Sequence, residues 1–177
     1  MLLAQKKKQE NIAEYVIYMY QTELLIRNFE FDTEKIKVHV FGNISSEKMT
    51  QEEKDEHLNW YASVINEMKK EELIKEGHLS YVQDVVEKLS ALSIELLGSN
   101  EDYQLLFNNA RPAIRENIMA SKGLVSNPIQ VCLNGVFGLL ITRMKGKEVP
   151  DDVQEQLTQF GNVLSFLSNQ WKSDDTN

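Results

Sequence analysis

Hydrophobic residues recur every three or four positions along most of the chain, a spacing typical of amphipathic helices. Capping residues, Gly and Pro divide this pattern into separate predicted helices. They cover about 12–28, 51–76, 80–97, 100–118, 128–145 and 151–171. Residues 34–41 also alternate with period two, but a lone strand would have no partner, so we expect a short helix or an irregular connection there. The pattern therefore predicts an all-α fold, a compact bundle of six or seven helices in a single domain (1–172), with a disordered polar tail at 173–177.

Local signals mark several helix ends. Thr50 and Glu53 have the spacing of a capping box, and Ser80 begins a segment that resembles a second one. Gly77 is expected to end the helix that begins near Thr50. Pro112 lies inside a helical pattern, where its missing backbone donor and its ring predict a kink or a break.

The first predicted helix, 12–28, is apolar on almost every side and yet contains Glu23 and Arg27. Its narrow polar strip consists of three residues one heptad apart, Glu14, Gln21 and Asn28. At about 100° per residue, Glu23 and Arg27 fall on the opposite side, among apolar residues. We therefore expect both charges inside the protein, where charged groups are normally paired.

The segment 128–145 is also apolar on nearly every side, which predicts a helix at the centre of the bundle. Asn127 and Pro128 provide its cap and its first turn. Gly135 and Gly138 each cost about 1 kcal/mol relative to Ala in a helix. We expect another backbone to approach closely at these two glycines.

The last predicted helix carries one apolar seam with alternating spacings of four and three residues. The seam consists of Val153, Leu157, Phe160, Leu164, Leu167 and Trp171. It can pack inside the domain, or it can form part of a homodimer, since two-fold pairing is the commonest form of oligomer. The sequence leaves both alternatives open.

Composition narrows the classes of partner and the location. The formal charge is −8, whereas a protein that binds a phosphate backbone needs a basic surface, so no nucleic acid partner is expected. The longest apolar segment, 129–141, is shorter than the roughly 20 residues of a membrane span, so no membrane association is expected. Cys132 is the single cysteine, which excludes an intrachain disulfide and fits a cytoplasmic location. Its apolar surroundings predict a buried, inert thiol.

The sequence contains no recognisable motif for metal binding or catalysis. The three histidines, His39, His57 and His78, lie in different segments, and none belongs to an HExxH or Glu-x-x-His pattern. No nucleophile elbow and no phosphate-binding loop is present. We therefore expect no metal and no cofactor, and the favoured hypothesis is a non-enzymatic domain that acts through protein–protein contacts.

A second hypothesis starts from the remaining charged residues. Arg111 and Arg115 lie four residues apart in one predicted helix and repel each other unless an anion lies between them. Asn117 falls on the apolar face of the same helix. Together with Glu23 and Arg27, these residues predict either a structural polar network or a pocket between two predicted helices. The two are the first helix and the helix at 100–118, which is the fifth when 34–41 is counted as a helix. Such a pocket would make the protein a binder of a small anion or small metabolite, or an enzyme that acts on one.

Three segments of the first predicted helix resemble a known family. They are Asn11–Tyr15 (NIAEY), Tyr18–Gln21 (YMYQ) and Glu23–Arg27 (ELLIR). These segments are similar to the opening helix of the bacterial family named domain of unknown function 4924. The resemblance implies a compact, all-helical cytoplasmic protein, and it brings no activity, cofactor or catalytic residue. It also leads us to expect an acid beside Glu23, where this chain has Leu24, which argues against a paired-carboxylate site.

Overall fold

The computed structural model describes residues 2–42, 44 and 49–174, and in this part of the chain it contains eight α-helices. The helices are α1 (Leu3–Glu10), α2 (Ile12–Asn28), α3 (Thr33–Phe41), α4 (Gln51–Lys70), α5 (Ser80–Ser99), α6 (Glu101–Ala120), α7 (Pro128–Met144) and α8 (Asp151–Asp174). No strand occurs among the described residues, and 34–41 is helical. The all-α prediction is confirmed, and these eight helices are one more than the predicted maximum of seven.

The additional helix is α1, which the sequence pattern did not separate from α2. The two meet at Asn11, whose extended backbone (φ −157°, ψ 105°) interrupts the helical path. The Asn11 side chain accepts a hydrogen bond from the Glu14 backbone N–H at 3.1 Å and so caps α2. Because α1 buries only Ala4 among its eight residues, it leaves little hydrophobic periodicity in the sequence.

Four helices form the main body of the core, because α5, α6, α7 and α8 all contact one another. Helix α2 packs on α5, α7 and α8 and is flanked by α1 and α4, while α3 packs on α4. The predicted central position of 128–145 holds for the first half of α7, where Ile129, Val131, Cys132 and Leu133 are buried. The second half is half-buried or exposed and leaves an open space beside α2. None of the described helices has the length and hydropathy needed to cross a membrane.

The C-terminal end of α4 and the start of α5 differ from the prediction. The capping box of Thr50 and Glu53 is present. Helix α4 nevertheless ends at Lys70 instead of near Gly77, because Glu72 adopts a positive φ of 59° and the Leu73 N–H bonds the Met68 carbonyl.

Ser80 does not cap α5 as predicted. Its backbone N–H and its hydroxyl both donate to the Glu71 carboxylate at 2.8 Å, and Leu79 occupies the N-cap position. Helix α6 runs through Pro112 without a break, so the predicted break is wrong, and the predicted kink stays a prediction. Pro112 is exposed, while the neighbouring Ala113 and Ile114 remain buried in the core.

The apolar seam of α8 packs within the chain. Phe160, Leu164 and Leu167 are buried, Leu157 and Trp171 are half-buried, and Val153 is exposed. The homodimer through this seam remains a prediction, with Val153 as the one seam residue on the surface. The helix continues to Asp174 and 175–177 lie outside the described residues, so the disordered tail at 173–177 stays a prediction.

Gly135 lies close to α8, but the approach of another backbone expected at this position is wrong. A Cβ at Gly135 would lie 2.7 Å from the Phe160 Cδ2 atom and 3.0 Å from the Leu157 Cδ2 atom, so the close neighbours are side chains and not a backbone. At Gly138 a Cβ would meet no described atom within 4 Å, so the prediction is wrong there.

Candidate functional site

Glu23 is completely buried on α2, as the sequence predicts. Its Oε1 atom accepts a hydrogen bond from the Leu79 backbone N–H at 2.9 Å, and its Oε2 atom lies 2.5 Å from Nδ1 of His78. Both partners belong to the α4–α5 connection, residues 71–79. The Glu23 carboxylate therefore fixes this connection to α2, because a buried carboxylate is stable only with such partners.

Arg27, one helical turn later, binds the same connection. Its Nε atom donates to the Leu73 carbonyl at 3.2 Å, and its Nη2 atom donates to the Gly77 carbonyl at 2.5 Å. Burial lowers the pKa of Arg27, and the nearby Glu23 carboxylate opposes this effect. Among the described residues, no ion pair within 4.0 Å joins Glu23 and Arg27. The two charges thus hold one backbone segment side by side instead of pairing with each other.

Tyr20 and His78 complete this arrangement. Their rings stack with centroids 3.6 Å apart, and the Tyr20 hydroxyl accepts hydrogen bonds from the side-chain amides of Gln130 at 2.9 Å and Gln83 at 3.1 Å. We call Tyr20, Glu23, Arg27 and His78, together with residues 71–79, the α2 clamp. In the described part of the chain, every buried side-chain nitrogen and oxygen has a hydrogen-bond partner.

Sequence reasoning located Glu23 but missed His78 as its partner. The two residues are 55 positions apart, so no helical spacing connects them. The useful signal was local: Gly77 and His78 precede the start of a strongly amphipathic helix, where the chain must turn back towards α2.

The structure separates the other three predicted site residues from the clamp. Arg111, Arg115 and Asn117 are exposed on α6, a helix that packs against α5, α7 and α8. The Arg111 guanidinium lies 5.7 Å from the centroid of the Phe107 ring, and the Asn117 amide donates to the Ala113 carbonyl at 2.8 Å. The five predicted residues therefore do not form one network or line one pocket.

A cavity of about 590 Å³ lies on the other side of α2, next to the half-buried end of α7. We call it the α2–α7 cavity. Its lining consists of Tyr18, Gln21, Thr22, Leu24, Leu25 and Asn28 of α2, His39 and Val40 of α3, Tyr61 of α4, and Ile141, Met144 and Lys145 at the end of α7. Its volume and its mostly apolar wall with a few polar groups are typical of small-molecule sites.

The polar groups of the α2–α7 cavity are neutral or basic. Lys145 and the imidazole of His39 lie at its exposed edge, and none of its described lining residues is acidic. Burial raises the pKa of Tyr61, and the neighbouring Tyr18 phenol adds to this effect. Burial also raises the pKa of Tyr18. Both phenols therefore stay neutral near pH 7, and because they are hydrogen-bonded to each other, one of their two O–H groups is used within the pair.

Two kinds of chemistry can be checked directly in the described residues: metal binding and the reactivity of the single thiol. No three His, Cys, Asp or Glu side chains lie together there in a way that could hold a metal ion. Cys132 is buried, and burial raises the pKa of its thiol to about 12. The thiol therefore stays protonated near neutral pH and is a poor nucleophile.

Comparison with known proteins places the chain in a family. Its sequence matches the family described as "Domain of unknown function (DUF4924)" over residues 1–177. Neither a curated protein nor a solved structure matches the chain. The match covers the full length of the sequence, including the α2 segments that carry the resemblance, and so this protein belongs to the DUF4924 family.

Proposed function

We propose that this protein is a non-enzymatic binding domain whose α2–α7 cavity takes an amphipathic small molecule with an anionic head group. The observation that carries the proposal is the character of the cavity wall: it is mostly apolar, its polar residues are neutral or basic, and Lys145 and His39 lie at its edge. This character is informative because the chain as a whole has a net charge of −8.

Each part of the wall supports a different part of such a ligand. Leu24, Leu25 and Ile141 offer an apolar surface to the body of the ligand. The Lys145 ammonium group at the edge offers a charge to a carboxylate or phosphate head while that head stays partly hydrated. The proposed site differs from the small-anion pocket predicted between α2 and α6, because it lies on the side of α2 opposite Arg27, which already binds the Leu73 and Gly77 carbonyls.

Thermal unfolding in the presence of octanoate tests the proposal, with 1-octanol as the neutral ligand of equal chain length. A ligand that binds only the native state raises the apparent stability by mass action. We expect a saturable rise in Tm with octanoate and a much smaller rise with 1-octanol. Equal effects of the two ligands, or no effect of either, would contradict an anion-binding cavity.

Two lysines of the same turn provide a matched pair of variants. Lys145 lines the cavity, whereas Lys147, two residues later and also exposed, does not. Lys145→Glu should weaken octanoate binding by about tenfold, the effect of losing roughly 1.4 kcal/mol. Lys147→Glu makes the same change in net charge and should leave binding nearly unchanged. Equal losses in both variants would indicate a general charge effect instead of a site.

Protein–protein contact, the hypothesis favoured by the sequence, is the second candidate. It is supported by two large apolar residues on the surface near the end of α6, Met119, which is 73% exposed, and Leu124, which is 90% exposed. Sedimentation velocity at increasing concentration tests self-association. Loss of association in Leu124→Glu would assign it to this surface, whereas loss in Val153→Glu would assign it to α8. A monomer at every concentration would remove the homodimer.

A cytoplasmic location is also part of the proposal. Its support is the single, buried Cys132, which needs no oxidising compartment. Cell fractionation with an antibody against the protein tests it, and recovery outside the cytoplasmic fraction would overturn it.

A further inference from the structure

A second cavity, of about 270 Å³, lies between α1, α2, α4 and α5 and has a different chemical character. Three aromatic side chains from three helices line it: Tyr15 of α2, Trp60 of α4 and Tyr81 of α5. Glu67 of α4 is its acidic group. We propose that this aromatic cavity binds a small organic ammonium ion, such as a quaternary or methylated amine.

The physical basis is the attraction between a cation and the face of an aromatic ring. The ring quadrupole favours a positive charge within about 6 Å of the centroid, and aromatic cages use this attraction to select quaternary ammonium groups over neutral ones of the same shape. Indole is the best of these rings, and the cavity contains the Trp60 indole and two phenols. A carboxylate in the same wall adds a favourable charge.

The carboxylate of Glu67 acts directly on both phenols of the cavity. Burial raises the pKa of Tyr81, and the negative charge of Glu67 and a hydrogen bond to it raise that pKa further. Burial raises the pKa of Tyr15 as well, and Glu67 is again the next cause. The three polar groups are therefore close enough to act together, and the charged residues of the cavity lining are Glu67 and the exposed Lys8.

A cation already lies on one of these rings. The exposed Lys8 of α1 places its Nζ atom 5.5 Å from the centroid of the Tyr15 ring. This contact is an independent sign that the aromatic cavity attracts positive charge. Because the Lys8 ammonium is strongly hydrated and its side chain is flexible, a less hydrated ammonium ligand can displace it.

The two cavities lie on different sides of α2 and have opposite charge preference. Tyr15 and Met19 face the aromatic cavity, whereas Tyr18 and Leu25 face the α2–α7 cavity. The inference on the aromatic cavity is therefore independent of the proposed anion site. Binding of an organic cation should be insensitive to Lys145→Glu.

Choline and 3,3-dimethyl-1-butanol test the proposal, since the alcohol has the shape of choline without its charge. The readout is the indole N–H signal of Trp60 in an NMR titration, assigned with a Trp60→Phe variant. We expect a saturable shift with choline and little shift with the alcohol. No saturable shift at millimolar choline, or equal shifts with both ligands, would overturn the proposal.

Two glutamates of α4 provide the matched variants. Glu67→Gln removes the charge of the cavity with almost no change in volume, and we expect choline binding to weaken about tenfold. Glu56→Gln makes the same substitution at an exposed position of the same helix outside the cavity and should bind choline as the unaltered protein does. Equal binding by both variants would overturn the role of Glu67, and circular dichroism shows whether both remain folded.

Lys8→Gln tests whether Lys8 competes with the ligand. The variant frees the face of Tyr15, so we expect tighter choline binding than in the unaltered protein. Weaker binding would contradict the competition and would show that Lys8, which lines the cavity, supports binding instead.

Discussion

The two sides of α2 differ in what they do with polar groups. On the clamp side, Glu23 is fully buried and both of its oxygens have partners in the α4–α5 connection. On the cavity side, Leu24 and Leu25 are only half-buried and face a space of about 590 Å³. On the clamp side, the α4–α5 connection covers the buried charge. On the cavity side, where no described lining residue is acidic, the space beside α2 stays open.

This contrast shows why a buried charge is a weak indicator of a binding site. A carboxylate in the interior needs strong hydrogen-bond partners, and backbone that already lies nearby can provide them. Once Leu79 and His78 bind Glu23, its capacity to bind a ligand is used. The cavity side has no buried carboxylate that needs partners from the protein. A ligand can supply there the anionic group that the cavity wall lacks.

The largest effect is expected from Glu23→Leu. The substitution leaves the Leu79 N–H buried without an acceptor and removes the partner of His78, so the free energy of unfolding should fall by about 3–5 kcal/mol. Urea denaturation measures it. Glu95→Leu, the same change at an exposed position of α5, is the control and should alter stability by no more than about 0.5 kcal/mol. Similar small losses of unfolding free energy in both variants would show that Glu23 does not hold the α4–α5 connection.

Arg27→Leu should cost less, about 1.5–3 kcal/mol, because Arg27 is half-buried and its two hydrogen bonds go to backbone carbonyls near the surface. The double variant with Glu23→Leu should lose less than the sum of the single losses, since both residues hold the same connection. Strict additivity in a double-mutant cycle would show that Glu23 and Arg27 act on the connection independently.

Two glycines of α7 extend the contrast to a second helix. Gly135→Ala should lower stability by about 1–3 kcal/mol, since the new Cβ would press on the buried Phe160 ring. Gly138→Ala meets open space and should raise stability by up to about 1 kcal/mol through helix propensity. Thermal unfolding should show a lower Tm for Gly135→Ala and a higher Tm for Gly138→Ala than for the unaltered protein. Changes in Tm of the same sign would contradict the difference between the two positions.

The smallest effect on stability is expected on the open side. Met144 is 70% exposed at the edge of the α2–α7 cavity, so Met144→Ser should change the free energy of unfolding by at most about 0.5 kcal/mol. The same variant should weaken octanoate binding, because it removes apolar wall. A large loss of stability would mean that this edge belongs to the core.

The sequence predicted most helices because each buries a stripe that repeats with the helical period. Helix α1 was not predicted because it buries a single alanine. Gly77 was interpreted as a helix end because a glycine near a loop does not show which turn requires it. In the structure Gly77 has φ +90° inside the connection, seven residues beyond Lys70. Hydrophobic periodicity predicts which segments are helical, whereas the residue at which a helix ends depends on contacts with other parts of the chain.

The site was predictable only in part for the same reason. The position of Glu23 on the helix gave its burial, whereas its partner His78 depends on how α4 returns the chain to α2. The α2–α7 cavity could not be predicted, because it lies beside the second half of α7, which is only half-buried or exposed. The periodicity of α7, apolar all round, instead indicated complete burial.

The hydrogen bond from the Leu79 N–H to Glu23 joins residues 56 positions apart. A contact of such separation forms only when α2 and the α4–α5 connection come together. The Leu79 amide should then exchange its hydrogen with solvent only when the whole domain opens. One backbone resonance would therefore report global opening, and faster exchange at Leu79 than in the middle of α5 would show that the connection opens alone.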